Sequence, residues 1–275
     1  MPRNIVRHEP RTASTRKPEL SPSKLRNYLR CESYYKLEYI DRLGKYYHKS
    51  RADFSFGSSL HQTLQAFHQQ GGVQSVGIEE LSQQVIENWR THGYKSAEEE
   101  LRYRSEALEI VRQYHLNASL SPADSRVCLT EKTFKFDMGR FILVGRIDRL
   151  DERGKDGTLE IVDYKSCRHS VSVEDVRSSL AMNVYQILVK RAYPDRRVLA
   201  TIHALRAGQS ATVELSSDDL NDREEEILAI GHQILDRDFQ NVLPQYYAER
   251  CDDCDFKRIC QRHWNSTAAD DQWSL

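Results

Sequence analysis

The chain has little of several things that would classify it at once. Its 40 lysines and arginines are offset by 41 aspartates and glutamates, leaving a formal net charge of −1. That excludes whole-molecule attraction to a polyanion, so nucleic-acid binding has to come from a local basic channel with aromatic residues for stacking. No apolar run is long enough for a membrane span or a secretory signal, so no membrane partner is expected and a reducing, cytoplasmic location is. Internal repeats and low-complexity tracts are absent too, which sets repeat architectures aside. What is there, 275 residues with 39% hydrophobic content, can bury a substantial core, as one large domain or as a core with a helical insertion.

The most informative stretch is residues 145–165. It reads Gly145-Arg-Ile-Asp148-Arg149-Leu-Asp151, a Gly-rich turn, then Leu159-Glu-Ile-Val-Asp163-Tyr-Lys165. Two β-type segments joined by a short turn predict a hairpin, each arm bringing an acidic residue near its end and the second adding a lysine two places later. Two carboxylates about 4 Å apart repel by roughly 4 kcal/mol at an effective dielectric near 20, so such a pair needs a proton or a cation between them. Magnesium or manganese meets that need with oxygen ligands, completing its shell with water and phosphate oxygens. In a strand, residues at i and i+2 share a face, so Asp163 and Lys165 point into one space, where the lysine can hold an attacking water or offset phosphoanion charge. On this segment alone, an exposed charged hairpin of an ordinary α/β protein remains an alternative.

Around it the periodicity predicts a strand over 127–136 carrying Glu131, a helix beginning near Phe56 with Leu60, Leu64 and Phe67 on one face and His61 beside it, and helices near 78–89 and 98–114. A helix over about 173–192 is ended by Pro194, strands follow at 197–205 and 211–215, and a helix at 218–237. His61 could equally be a packing or hydrogen-bonding residue, and Glu131 a surface glutamate. The first 17 residues hold five basic residues against Glu9 alone and suggest that 1–20 is a disordered tail that could touch DNA. Residues 266–275 are expected to fray, and 251–263 forms a cysteine-bearing loop. Basic and aromatic residues available for a channel include Arg102, Tyr103, Arg104, Arg112 and Arg168, although a charged helical face is usually just solvated.

The motif Gly-x-x-Asp148-Arg-x-Asp followed by Ile-Val-Asp163-Tyr-Lys165 resembles the PD-(D/E)XK nuclease superfamily, in the form carried by RecB-type nuclease domains. The resemblance implies an α/β fold, a central mixed sheet flanked by helices in a restriction-endonuclease-like core over 21–265 with a helical insertion at about 72–120. It implies that Asp148, Asp163 and His61 are metal ligands for Mg2+ or Mn2+, that Lys165 is the catalytic lysine, and that Glu131 is the family's acidic residue on the preceding strand. The family's Gln-x-x-x-Tyr is kept only in its tyrosine: Tyr185 is present, Ala181 stands where the glutamine would be, and Gln186 points about 100° away on a helix.

Six cysteines in a reducing setting point to metal. Cys251-x-x-Cys254-x5-Cys260 supplies three thiolates and Cys31 could supply a fourth, at the end of a short helix that Ser21 or Ser23 can cap. This resembles the iron–sulfur subgroup of RecB-like nucleases, which includes AddB-type helicase–nucleases and a CRISPR-associated exonuclease family. By that resemblance Cys31, Cys251, Cys254 and Cys260 hold a [4Fe-4S] cluster, although Glu32 replaces the proline often found after the first cysteine. Zinc on Cys251, Cys254, Cys260 and His263 is the rival reading, and unliganded thiols a third. Cys128 and Cys167 are expected to be small core residues.

The expectation is a metal-dependent DNA nuclease, an exonuclease acting on free or single-stranded ends, with a helicase, repair or CRISPR protein as partner. The alternatives are a non-catalytic DNA-binding or assembly subunit with the same fold, and a structural zinc protein in which the 145–165 pattern is coincidental.

Overall fold

The computed structural model describes residues 16–120, 125–154 and 156–270. The anticipated N-terminal tail therefore lies, over 1–15, outside the described residues, as does 271–275 of the C-terminal one. The elements run β1 (Glu19–Leu20), α1 (Pro22–Arg30), α2 (Glu32–Tyr35), a π-helical turn at Lys36–Ile40, α3 (Gly44–Tyr47), α4 (Ala52–Gln69), α5 (Ile78–Glu87) and α6 (Ala97–Leu120). Then come β2 (Ser125–Asp137), β3 (Ile142–Arg153), β4 (Thr158–Lys165), α7 (Val173–Ser178), α8 (Leu180–Ala192), β5 (Val198–Ala204), β6 (Gln209–Val213), α9 (Ser217–Asp236), α10 (Ala248–Cys251) and α11 (Lys257–Asp270).

Strand β3 organises one mixed six-stranded sheet. Antiparallel β2 covers one of its edges along nearly the whole length. Two strands share the other: β1 pairs in parallel with Ile142 and Leu143, and β4 pairs antiparallel with Arg149–Arg153. Residues 144–148 are left without a strand partner on that side. Parallel β5 then joins β4, and antiparallel β6 closes the row. Every residue of β4 except Lys165 is buried, as expected for a strand covered by helices on both faces.

One face is covered by α4, α5 and α6. Phe56, Leu60, Leu64 and Phe67, at the helical spacing legible in the sequence, share a core with Leu81, Ala107, Val111, Val162 and Tyr164. Leu81, Ala107 and Val111 come from the stretch read as a helical insertion. The opposite face is covered by α8, with α1 and α9 packed beside it: Val184, Ile187 and Leu188 meet Leu25, Leu143, Ile227 and Ile234.

Four expectations change. Residues 173–192 form two helices, because Ser179 takes an extended conformation and its hydroxyl accepts from the Met182 N–H, starting α8 afresh. Glu19–Leu20, placed in the tail, is a strand. The cysteine-bearing stretch is partly helical, taking in the last residue of α10 and the first half of α11. Cys128 and Cys167 are half-buried rather than core residues: Cys128 sits where the β2 register shifts between Val127 and Leu129, and Cys167 follows the end of β4.

Candidate active site

Asp148 lies where the β3–β4 ladder ends. The last paired residues are Arg149 and Val162; beyond them Asp148 Oδ2 accepts the Tyr164 N–H at 2.9 Å, so a side chain replaces the missing backbone partner. Strict alternation also fails here. Ile147 and Leu150, three apart, both enter the core under α8, and the two residues between them reach α4, Asp148 to His61 (Nδ1 to Oδ2, 3.3 Å) and Arg149 to His68.

Glu131 on β2 falls between the pairs Thr130–Arg149 and Lys132–Ile147, directly opposite Asp148. Its φ is +49°, a left-handed conformation costing on the order of 1–3 kcal/mol for a non-glycine residue and concentrated at functional sites. One donor atom from each of His61, Glu131 and Asp148 lies within 4.8 Å of the others, and among the described residues they are the only set of three or more potential metal-holding groups to do so. Asp163 stands beside them, almost fully buried, with Oδ2 2.5 Å from Lys165 Nζ. The structure thus gathers His61 and Asp148 with Glu131, and sets Asp163 in an ion pair with Lys165.

The electrostatics follow the crowding. Burial raises the Asp163 carboxyl above its ordinary range, Lys165 opposing and Asp148 adding to the rise. Burial likewise raises Glu131, helped by Asp148 and resisted by Arg146 and His61. At His61 burial opposes the charge, but the hydrogen bond and charge of Asp148 prevail and the imidazole is raised. Burial, then the charges of Asp163, Asp148 and Glu131, push the Tyr185 hydroxyl well up, so Tyr185 feels all three carboxylates.

Gly145 is what lets α8 bring Tyr185 close. A Cβ there would stand 2.7 Å from Leu188 Cδ1 and 2.9 Å from the Tyr185 ring. Ala181 is half-buried one turn earlier. Gln186 is turned inward, its Oε1 accepting from the Leu215 N–H at 3.3 Å, so it does not substitute for the absent glutamine. Beside the carboxylates a cleft of about 620 Å³ is lined by Phe54, His61, Gln65, Arg90, Glu131 and Arg146, among others. Arg102, Tyr103, Arg104, Arg112 and Arg168 do not line it. Tyr103 packs with Phe56 and Arg168 lies 3.5 Å from Glu106.

Sequence reasoning missed a buried network around Arg149. Its guanidinium donates to His68 Nε2 (2.6 Å), Tyr114 Oη (2.6 Å) and Tyr164 Oη (2.7 Å), and lies 2.9 Å from Asp151 Oδ2. Burial and then Arg149 push the His68 imidazole down to about 2, leaving it a neutral acceptor. The network ties α4, α6, β3 and β4 together beside the carboxylates. Arg149 lies inside the motif itself, which was the one signal available.

The four anticipated cysteines meet at a second place in the fold. Cys31, Cys251, Cys254 and Cys260 line one small cavity with Arg30, Tyr34 and others. Cys31 ends α1, whose start Ser21 caps as anticipated, and its Sγ accepts from the Tyr34 N–H at 3.4 Å. Arg30 donates to the Arg250 carbonyl and Arg250 to the Arg30 carbonyl, tying α1 to α10. Burial and the neighbouring thiols push Cys260 up to about 12, so only a cation would hold it as thiolate.

The model of the PD-(D/E)XK nuclease superfamily matches residues 19–261. The chain belongs to the PD-(D/E)XK nuclease superfamily. Membership accounts for the six-stranded mixed sheet flanked by helices. Among solved structures, a "putative exonuclease" from Eubacterium rectale is 14% identical, with 88% of this chain and 87% of that one covered and a TM-score of 0.52; at that identity the likeness shows the fold alone. SSO0001 is 13% identical over 58% of this chain and 73% of that one, with a TM-score of 0.29, and carries no argument. No curated protein matches. As in other PD-(D/E)XK nucleases, a divalent metal is the expected cofactor, and the donor set fits one: an imidazole and two carboxylates converge, and one of those carboxylates sits on strained backbone.

Proposed function

We propose that this PD-(D/E)XK protein is a metal-dependent DNA exonuclease of the RecB-like group, acting on free or single-stranded ends, with a [4Fe-4S] cluster stapling its chain ends. The observation that carries the reading is the convergence of His61, Glu131 and Asp148 within 4.8 Å, with the Asp163–Lys165 pair beside them. His61, Glu131 and Asp148, with Asp163 adjacent, would hold magnesium or manganese, which when bound supplies Lewis-acid polarisation of the phosphate and a more acidic water. Asp148 keeps the β3–β4 opening in shape through the Tyr164 N–H. Lys165, anchored on Asp163, orients the attacking water and offsets phosphoanion charge. Tyr185, held against Gly145, aligns the strand.

At the second centre, Cys31, Cys251, Cys254 and Cys260 would hold the cluster. Cys31 shares its cavity with the three later cysteines, a set of four that a cluster uses and that zinc on Cys251, Cys254, Cys260 and His263 would leave one short. A helicase, repair or CRISPR protein remains the class of partner this group implies.

The reading is tested on end-labelled single- and double-stranded DNA with magnesium, manganese or chelator, comparing wild type with Asp148→Asn and Lys165→Ala. Metal-dependent cleavage lost in both folded variants supports it. An inert, cluster-loaded wild type that still binds DNA supports a non-catalytic subunit instead, the reading that Ala181 favours.

A further inference from the structure

Each carboxylate of the site has its own basic partner: Glu131 with Arg146 (2.5 Å), Asp148 with His61 (3.3 Å) and Asp163 with Lys165 (2.5 Å). The partners differ in how tightly the fold holds them. His61 is fixed in α4 and its side chain is 30% exposed, whereas the Arg146 side chain is 66% exposed against 13% for the Glu131 carboxylate it contacts. Arg146 is thus a long arm rooted on β3, two residues before Asp148, with its stem in solvent and its head reaching across to β2. It also lines the cleft, together with Arg90, an exposed residue of the same charge, and with Phe54, a residue 65% exposed whose ring has the Arg51 guanidinium 5.7 Å from its centroid.

We propose that Arg146 is an exchangeable counter-ion that neutralises Glu131 while the metal position is empty and, once a divalent cation takes Glu131, swings into the cleft to bind a backbone phosphate of a single-stranded nucleic acid. The proposal rests on the nuclease reading of the site and assigns the cleft its ligand. A carboxylate opposite a second carboxylate needs one cation but does not profit equally from two, so Arg146 and the metal compete for Glu131. The released guanidinium is always charged, weakly hydrated and shaped for bidentate contact with phosphate. Arg90 would take a neighbouring phosphate, and Phe54 would offer its face to a base. Metal binding and strand binding are thereby coupled, each favouring the other by the same factor.

The test uses the full chain, with manganese titrated calorimetrically and a short fluorescent oligothymidylate followed by anisotropy, in calcium to hold off cleavage or in chelator, over a range of salt. Arg146→Ala should bind manganese about 5-fold more tightly, since a competitor is gone. In calcium it should bind the oligonucleotide about 5-fold more weakly, with a salt dependence shallower by about 0.7, and in chelator it should bind like wild type. Arg146→Lys should restore most of the calcium-dependent affinity. Glu131→Gln should raise affinity in chelator, and the gain should vanish in Glu131→Gln/Arg146→Ala, the cycle isolating the pair. Manganese binding unchanged or weakened in Arg146→Ala, or equal oligonucleotide losses in calcium and chelator, would overturn the exchange while leaving the nuclease reading intact. A wild type that binds neither manganese nor oligonucleotide overturns both.

Discussion

The carboxylate centre and the thiol centre gather similar numbers of donors by opposite routes. Glu131, Asp148 and Asp163 sit on three successive strands, and their meeting is written in sheet register: Glu131 opposite Asp148, and Asp148 accepting from the residue after Asp163. His61 alone comes from a helix. At the thiol centre no sheet helps. Cys31 and the three later cysteines are carried by α1, α10, α11 and the turns beside them, joined by contacts such as Arg30 with Arg250, 220 residues apart. The carboxylates are inner charges ringed by basic partners, whereas burial keeps Cys254 and Cys260 protonated. Loss of a metal at the first centre should therefore cost chemistry and spare the fold; loss of the cluster proposed for the second should cost the fold first, because long-range closure is where a metal clip stabilises most.

The sharpest way to break that contrast is Asp148→Asn. The amide oxygen still accepts the Tyr164 N–H, so melting should stay within a few degrees of wild type, while metal-dependent cleavage should fall on the order of a thousandfold. Parallel losses of both would mean that Asp148 is structural. Cys31→Ser provides the converse, on the proposal that the thiols hold a cluster: visible absorption should disappear, and the unfolding free energy in urea should drop by about 3 kcal/mol. Cys128→Ser, outside the cavity, should change stability by less than about 0.5 kcal/mol.

Gly145→Ala tests the packing that links the sheet to Tyr185. Its Cβ would overlap Leu188 and the Tyr185 ring, a crowding expected to cost about 1–3 kcal/mol and to weaken cleavage by moving Tyr185. Asp163→Asn probes the pH dependence of stability. Burial raises the folded carboxyl above its unfolded value, so its contribution to stability is fully present below the unfolded pKa and is lost as pH rises through the folded one. The Asp163 contribution in the metal-free wild type should therefore shrink as pH climbs from acid toward neutral, against the rise contributed by carboxyls such as Asp137 and Asp236, whose basic partners lower them. Asp163→Asn should remove that decline and gain about 1 kcal/mol at neutral pH, while cleavage is lost. A variant less stable than wild type at neutral pH would show that the Lys165 pair outweighs the burial of the charge.

Much of this was legible in the residues. The hairpin, the β2 strand, the face of α4 and the helix that Ser21 starts before Cys31 all follow from periodicity, turn chemistry and caps, which are properties of neighbours in sequence. Misses arose where a local rule lost to a distant contact. Alternation would place Asp148 and Arg149 on opposite faces, but both turn to α4 because Ile147 and Leu150 are both drawn under α8. The unbroken helix over 173–192 was reasonable from apolar spacing, yet Ser179 caps a new start inside it. Glu19 and Leu20, too short a run to announce a strand, pair with β3 because Ile142 and Leu143 present an open edge.

By itself the sequence determined which residue types are available for chemistry and which elements carry them: acids on two neighbouring strands, a lysine two places after the second, a histidine on an apolar helix, thiols at both ends of the chain. Spacing of two, three or four residues is enough for that, since helix and strand geometry are local. Only the tertiary structure decided that Glu131 faces Asp148, that Arg146 reaches back to hold it, that Arg149 is buried among His68, Tyr114 and Tyr164, and that four thiols share one cavity. Those outcomes depend on strand register, on which edge of β3 each neighbour takes and on the burial of charge, all set by contacts between segments far apart in the chain.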